Sequence, residues 1–135
     1  MKKFLLIILT GVSITACTKK VSVPTGAANQ NMFFKDANVA VETLQALPTA
    51  TGTVTVNFST AFENNISRIE LMSSATTSTF CTVQAVEVGE NSTVEKDYSF
   101  SDSNVKGSTM YYLLRFKDNS GNWTYSPYLT VQVND

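Results

Sequence analysis

The chain has 135 residues, of which 43% are hydrophobic and 16% are charged, and its formal net charge is -1. This length accommodates one domain, and the apolar fraction is too high for an intrinsically disordered chain. A near-neutral charge argues against a nucleic-acid partner. The sequence contains no histidine, which excludes imidazole bases, imidazole metal ligands and Ser-His or Cys-His nucleophile pairs. Much enzyme chemistry is excluded in this way, and we expect no metal, no cofactor and no enzymatic activity.

The first residues have the pattern of an export signal. Lys2 and Lys3 form a basic start, and an apolar stretch follows over residues 4–14. This stretch is too short to cross the roughly 30 Å of hydrocarbon in a bilayer. A signal peptide over residues 1–16 that is cleaved from the mature chain is the better interpretation.

The end of this segment resembles the lipobox of bacterial lipoproteins. Ile14, Thr15 and Ala16 supply an apolar residue followed by small residues, directly before Cys17. The resemblance implies that Cys17 receives a diacylglyceryl thioether, is freed by signal peptidase II and is then N-acylated. Two or three acyl chains anchor a protein stably in a membrane, whereas one chain binds only marginally. The alternative is an ordinary signal peptide that happens to precede a cysteine.

The second of the two cysteines is Cys81. With the sulfur of Cys17 in a lipid thioether, no intramolecular disulfide would form, even in an oxidising compartment. No basic residue adjoins Cys81 to activate its thiol, so we expect a buried, inert thiol. An intermolecular disulfide is the alternative.

Residues 17–38 have the composition of a linker. Pro24 and Gly26 lie in a stretch with neither a strand period nor a helix period, which indicates a flexible segment. A linker of about 20 residues spans near 25 Å, enough to hold a domain clear of the lipid headgroups. The apolar run at Met32, Phe33 and Phe34 is the exception, and we expect it to dock on the domain.

Residues 39–135 show the alternation of β-strands. Apolar residues recur at every second position, and turn-forming residues separate the runs. The predicted strands lie at 39–47, 54–58, 69–71, 83–88 with Phe80 just before it, 98–100, 111–116 and 129–133. With no helical segment between them, these runs predict an all-β fold, a single antiparallel seven-stranded β-sandwich. The run at 111–116 is the densest, as expected for a central strand.

Two segments carry a family resemblance. The stretch TMYYLLRFKDNSGNWTYSPYLTVQV at 109–133 resembles the last hairpin of the fibronectin type III-like domains found in secreted and surface proteins of Bacteroidota. The stretch VTVNFSTAFENNISRIELMSS at 54–74 is similar to an earlier strand pair of the same domains. The resemblance implies a fibronectin type III or immunoglobulin-like sandwich. Because domains of this family carry no catalytic residues, the resemblance assigns none to this chain.

The segment DNSGN at 118–122 predicts a tight hairpin turn, with Gly121 free to take a positive φ. Asp118, Ser120 and Asn122 also alternate like the first ligands of a calcium loop. However, the glycine comes too early and Leu129 stands where a glutamate is needed, so we favour the turn. By analogy with immunoglobulin-like sandwiches, Tyr111 or Tyr112 would form a tyrosine corner, with the hydroxyl bonded to nearby backbone.

Three aromatic residues near the last strand are candidate ligand-binding residues: Trp123, Tyr125 and Tyr128. Trp123 and Tyr125 share a face by alternation, and such a pair could stack on a sugar ring or on the apolar patch of a partner. The alternative is that Tyr125 belongs to the core and Trp123 covers the sandwich edge. Because Tyr128 follows Pro127, we expect it to be exposed.

Together these features predict a lipid-anchored, non-enzymatic protein of the cell envelope that acts as a protein-interaction or structural module. A glycan-binding accessory lipoprotein that uses the three aromatic residues is the alternative. A glycosidase would need two carboxylates facing each other across a cleft, which a single small sandwich rarely forms. The carboxylates that we considered for such a pair are Glu63, Glu70, Glu87, Glu90 and Glu95.

The residues after the cysteine bear on location. Thr18 stands where many lipoproteins retained at the inner membrane carry aspartate, which favours the outer membrane. Surface lipoproteins of Bacteroidota usually carry acidic residues here, whereas this chain has Lys19 and Lys20. We therefore expect an outer-membrane lipoprotein that faces the periplasm. The two lysines either meet anionic headgroups or are simply solvated.

Overall fold

The computed structural model describes residues 17–19, 34–50, 52–105 and 107–133. The predicted signal peptide at 1–16 and most of the predicted linker lie outside these residues. The strands are β1 (Cys17–Lys19), β2 (Phe34–Lys35), β3 (Val39–Ala50), β4 (Thr53–Glu63), β5 (Ile66–Ser74), β6 (Thr79–Glu87), β7 (Lys96–Asp102), β8 (Thr109–Asp118), β9 (Trp123–Tyr125) and β10 (Leu129–Gln132). Within the described part of the chain, no helix has the length and hydropathy of a membrane span.

The strands form two antiparallel sheets that pack as a sandwich. The six-stranded sheet has the order β1-β6-β5-β8-β10, with β9 also paired to β8, and the four-stranded sheet has the order β2-β3-β4-β7. The prediction of an all-β antiparallel sandwich is confirmed. The prediction of seven strands is wrong: β1 and β2 add a short edge strand to each sheet, and β9 is a further short strand before β10, which corresponds to the predicted strand at 129–133.

Strand alternation creates the main core between the sheets. In β4, Val54, Val56 and Phe58 are buried while Asn57 is exposed, as expected for a strand with one face inward. The largest fully buried side chains of this core are Leu44, Phe58, Ile69, Leu71, Tyr112, Leu114, Phe116 and Leu129.

The strand β8 is central, as its density of apolar residues predicts. It pairs with β5 on one side and with β9 and β10 on the other. Its inner face contributes Tyr112 and Leu114 to the main core, and on the opposite face Leu113 and Arg115 are also buried. Both faces of this strand therefore need cover from other elements.

The break between β9 and β10 lies at Ser126 and Pro127. The backbone N–H of Ser126 donates to the carbonyl oxygen of Leu114 at 2.8 Å. Its Oγ accepts a hydrogen bond from the backbone N–H of Leu114 at 2.9 Å. Ser126 Oγ thus accepts the bond that a backbone carbonyl would accept in a regular ladder, so the buried Ser126 continues the pairing with β8 between β9 and β10.

The segment DNSGN forms the predicted tight turn between β8 and β9. Asp118 Oδ1 accepts hydrogen bonds from the backbone N–H groups of Ser120 and Asn122, at 2.8 and 2.9 Å. Gly121 has a φ of 92°, the left-handed region that glycine occupies without steric cost. Hydrogen bonds from Asn122, followed by those from Ser120 and Gly121, hold the pKa of Asp118 below its usual value.

The tyrosine hydroxyl predicted to bond to backbone has a different partner. Tyr112 donates its hydroxyl to Asp102 Oδ2 at 2.8 Å, and both groups are buried. Asp102 Oδ1 accepts from the backbone N–H of Asn104 at 3.1 Å. The predicted bond to backbone is therefore wrong: the hydroxyl reaches a carboxylate at the end of β7, across the sandwich. Burial, then this hydrogen bond, raises the pKa of Tyr112.

Both described ends of the predicted linker contact the sandwich. β1 pairs with the start of β6, and β2 pairs with Ala40 and Val41 of β3. The ring of Phe34 stacks on Phe116 with 6.1 Å between centroids and packs against the main core. The docking prediction is confirmed for Phe34, whereas Met32 and Phe33 lie outside the described residues.

We expect Tyr112→Phe to destabilise the fold by about 1–3 kcal/mol, because it leaves the buried Asp102 carboxylate without its strongest donor. Chemical denaturation measures the free energy of unfolding. Tyr111→Phe is the matched control, since it removes a hydroxyl from the neighbouring position and retains the ring contact with Tyr128. Equal losses in the two variants would contradict the role assigned to the Tyr112 hydroxyl.

Candidate binding surface

The predicted aromatic residues lie on the outer face of the six-stranded sheet, where cross-strand pairing places them beside basic residues. Trp123 pairs with Lys117 and Tyr125 pairs with Arg115, and directly paired residues project from the same face of a sheet. We call this surface the aromatic–basic face. Its members are Tyr111, Arg115, Lys117, Trp123, Tyr125 and Tyr128.

Trp123 is half-buried against two cations of β8. The guanidinium carbon of Arg115 lies 3.9 Å from the ring centroid, and Nζ of Lys117 lies 5.6 Å from it. Cation–π contacts of this kind are worth about 0.5–1 kcal/mol at exposed sites and more when desolvated. The indole therefore lies over β8, and it projects from β9, a strand at the edge of the six-stranded sheet.

A second apolar cluster lies beside Trp123 on the same face. Met72, Phe80 and Leu113 are buried there, apart from the main core, and Tyr111, Tyr125 and Tyr128 pack against them. The Tyr128 ring is 5.5 Å from that of Tyr111, edge to face, and 6.4 Å from that of Phe80. The structure thus brings the three predicted residues to one surface.

This cluster corrects two predictions about the tyrosines. Tyr125 is not part of the main core but packs on the outer cluster, because its pairing with Arg115 fixes the face from which it projects. Tyr128 is half-buried instead of exposed, because its ring contacts Tyr111 and Phe80.

Glu70 lies beside Arg115 on the same face of the six-stranded sheet, since the two residues pair directly across β5 and β8. Its carboxylate accepts hydrogen bonds from Nε of Arg68 at 2.8 Å, from Nε of Arg115, and from the Thr82 hydroxyl at 3.3 Å. Burial by itself would raise the pKa of Glu70, but the hydrogen bonds from Arg115 and Arg68 outweigh it and hold the pKa below its usual value. Arg68 also forms an ion pair with Glu87. These contacts fix Arg115 beneath the indole.

A second buried carboxylate, Glu63, lies in the four-stranded sheet. It accepts hydrogen bonds from the hydroxyls of Thr60, at 2.9 Å, and Tyr98, and forms an ion pair with Lys96 at 3.1 Å. Burial, then the hydrogen bond to Glu63, raises the pKa of Tyr98. Backbone bonds to Ser92 at 2.8 Å in both directions hold the β6–β7 loop to the same strand. This network joins β4, β7 and that loop.

The remaining candidate carboxylates and the residues of the calcium-like motif are not members of the aromatic–basic face. Glu87, Glu90 and Glu95 are exposed. Both oxygens of Asp118 accept hydrogen bonds within the hairpin turn, as expected for a turn residue. Over the described ranges, no group of three or more acidic or cysteine side chains could hold a metal ion.

The two cysteines are joined in the structure. Cys17 of β1 pairs directly with Cys81 of β6, and their sulfur atoms form a disulfide. Cys81 is half-buried and Cys17 is exposed. The predictions that Cys81 is a buried free thiol and that no intramolecular disulfide forms are therefore wrong. They followed from assigning the Cys17 sulfur to a lipid, which left Cys81 without a partner.

Sequence reasoning missed the basic half of the surface. Arg115 and Lys117 alternate on β8 with Leu114 and Phe116, so the strand period alone places the two cations on the face opposite the core. What the sequence does not supply is the register that sets them against Trp123 and Tyr125. Comparison of the chain with protein-family models, with curated proteins and with solved structures finds no match.

We expect Arg115→Met to destabilise the fold by about 3–5 kcal/mol, because it leaves the buried Glu70 carboxylate with one arginine partner. Lys117→Met should cost no more than about 1 kcal/mol, the scale of an exposed cation–π contact. Trp123 is the one tryptophan of the chain, so its fluorescence reports both unfolding and the environment of this face. A loss for Arg115→Met no larger than that for Lys117→Met would contradict the assigned role of Glu70.

Acid should weaken the fold through the same carboxylate. Because the folded-state pKa of Glu70 is lowered, its contribution is fully present above the usual value of 4.5 and is lost as the pH falls through the lower, folded-state pKa. Urea unfolding at a series of acidic pH values should show this loss in the wild type and a smaller one in Glu70→Gln. Identical pH profiles for the two proteins would rule out this contribution.

Proposed function

We propose that the chain is an exported, lipid-anchored protein of the cell envelope whose sandwich acts as a non-enzymatic interaction module. The observation that carries the proposal is the aromatic–basic face, where Trp123 stacks on Arg115 beside three tyrosines. Trp, Tyr and Arg are the residue types that dominate binding energy at protein interfaces. The buried carboxylates support the same proposal, since Glu63 and Glu70 are engaged in contacts that join strands.

A fibronectin type III-like subclass agrees with the strand order. In constant immunoglobulin domains, the fourth strand joins the sheet of the first, second and fifth strands. Counting from β3, the fourth strand here is β6, and it pairs with β5 in the other sheet. This arrangement favours the fibronectin type III-like alternative over the immunoglobulin constant one, in agreement with the resemblance of segments 54–74 and 109–133.

The proposed anchor is a diacylglyceryl thioether on Cys17. Its support is the lipobox-like run that ends at this cysteine, together with the exposure of Cys17 at the outer edge of the six-stranded sheet. We place the anchored protein at the outer membrane, facing the periplasm, because Thr18, Lys19 and Lys20 follow the cysteine.

A protein partner fits the aromatic–basic face better than a glycan does. The four aromatic residues of this face are all half-buried, so each offers only part of its ring for stacking on a sugar. A protein partner can instead contact the exposed edges of the tyrosine rings and the charged Lys117 at the same time. We therefore propose an envelope protein as the partner and treat retention on polysaccharide as the outcome that would favour the glycan alternative.

Affinity purification from crosslinked cells tests the proposed face. The wild-type chain should co-purify with a stoichiometric partner, and Trp123→Ala should lose most of it, because an aromatic hot-spot residue carries about 2 kcal/mol or more of binding energy. Val94→Ala is the matched control, since Val94 is 70% exposed in the β6–β7 loop and its substitution leaves the face unchanged. Equal recovery of the partner by both variants would contradict the proposal.

Cell fractionation tests the anchor independently. Wild-type protein should remain in the membrane fraction after a high-salt wash and incorporate labelled palmitate, because the acyl chains insert in the bilayer. Cys17→Ala should appear in the soluble envelope fraction without label. Cys81→Ala is the control, since it removes the other cysteine and keeps the proposed lipid acceptor. Membrane retention of unlabelled wild-type protein would contradict lipid anchoring.

A further inference from the structure

The Cys17 sulfur has two competing partners. In the structure it is bonded to Cys81, and β1 holds the two residues directly opposite each other through the pairs Thr18 with Phe80 and Lys19 with Thr79. A lipid thioether would use the same sulfur atom. Because a divalent sulfur bonded to another sulfur carries no thiol, the disulfide and the thioether exclude each other.

We propose that the Cys17–Cys81 disulfide is a redox switch on membrane anchoring. With the disulfide intact, Cys17 cannot accept a lipid, and its reduction releases the acceptor thiol. This inference rests on the proposed function, because it requires Cys17 to be the site of lipidation. It assigns Cys81 a role that a buried structural thiol would not have, namely to mask the acceptor.

The surroundings of the pair favour both formation and controlled opening of the disulfide. Phe80, the neighbour of Cys81, is 1% exposed and packs with Met72 and Leu113, so this part of β6 is held in place. Cys17 is exposed whereas Cys81 is half-buried. Since thiol–disulfide exchange depends on access to the attacked sulfur, an external thiolate reaches Cys17 first.

Reduction and lipidation of Cys17 proceed by ordinary thiol chemistry. A dithiol reductant attacks the Cys17 sulfur and expels Cys81 as a thiolate, which takes up a proton. The second thiol of the reductant then closes its own disulfide and frees the Cys17 thiol, so two electrons and two protons pass to the protein. The Cys17 thiol next loses its proton, and its sulfur attacks the glyceryl carbon of a glycerophospholipid. A carbon–sulfur bond forms, the bond from that carbon to the phosphate oxygen breaks, and the headgroup phosphate leaves.

The test compares the full-length wild type with Cys81→Ser and Cys17→Ser in bacterial cells grown with the thiol oxidant diamide or with dithiothreitol. Intact mass and incorporation of an alkyne-labelled palmitate measure the lipidated fraction. Maleimide–polyethylene glycol, added before and after reduction, counts the free thiols of the unlipidated fraction. Cys17→Ser, which has no acceptor sulfur, sets the background of the label.

We expect diamide to lower the lipidated fraction of the wild type several-fold and to leave Cys81→Ser unchanged. The unlipidated wild type should react with maleimide only after reduction. Equal responses of the two proteins to diamide, or free thiols in the unlipidated wild type, would overturn the switch. Absence of lipid on Cys81→Ser even with dithiothreitol would overturn the anchor itself and the switch with it. If Cys81→Ser does not accumulate in the cells, the number of free thiols in the unlipidated wild type is sufficient to test the proposal.

Discussion

The fold depends on one strand that is buried on both faces. β8 contributes Tyr112 and Leu114 to the core between the sheets, and it also buries Leu113 and Arg115 on the outer face. In an antiparallel sandwich whose sheets bury only their inner faces, the outer face of a central strand is exposed to water. Here the outer face must instead be covered, and the cover consists of polar and aromatic groups whose positions depend on one another.

Burial of Arg115 accounts for most of that arrangement. A buried guanidinium needs a carboxylate and further hydrogen bonds to offset its loss of hydration, and Glu70 on the neighbouring strand supplies the carboxylate. Arg68 and Thr82 occupy the remaining acceptor positions of Glu70. With the guanidinium fixed, the indole of Trp123 lies over it. A structural ion pair thus builds the surface that we propose as the binding site.

The sequence predicted the sandwich because its two signals, alternation and turn residues, are local. Val54, Val56 and Phe58 alternate inward, and the turn at 118–122 follows from Asp118 and Gly121. The errors concern contacts between side chains on different strands. Tyr112 reaches Asp102 instead of backbone, and Tyr125 projects outward beside Arg115. Register and the break at Ser126 decide such contacts, and no short sequence pattern encodes either.

The disulfide is a further contact that local sequence patterns do not predict. The sequence presented Cys17 as a lipid acceptor and Cys81 as a bystander, whereas the pairing of β1 with β6 makes them partners. A separation of 64 residues hides this proximity from any local pattern. The two assignments of Cys17 become compatible if they describe successive states of one sulfur.

We propose above all that the aromatic–basic face contacts a protein partner in the envelope. The most direct measurement is site-specific photocrosslinking in living cells, with benzoylphenylalanine incorporated at Tyr128 or, for comparison, at Val94. The account predicts a discrete crosslinked species from position 128, of one mass, and none from position 94. Crosslinks of equal yield from both positions, or crosslinks from position 94 alone, would contradict it.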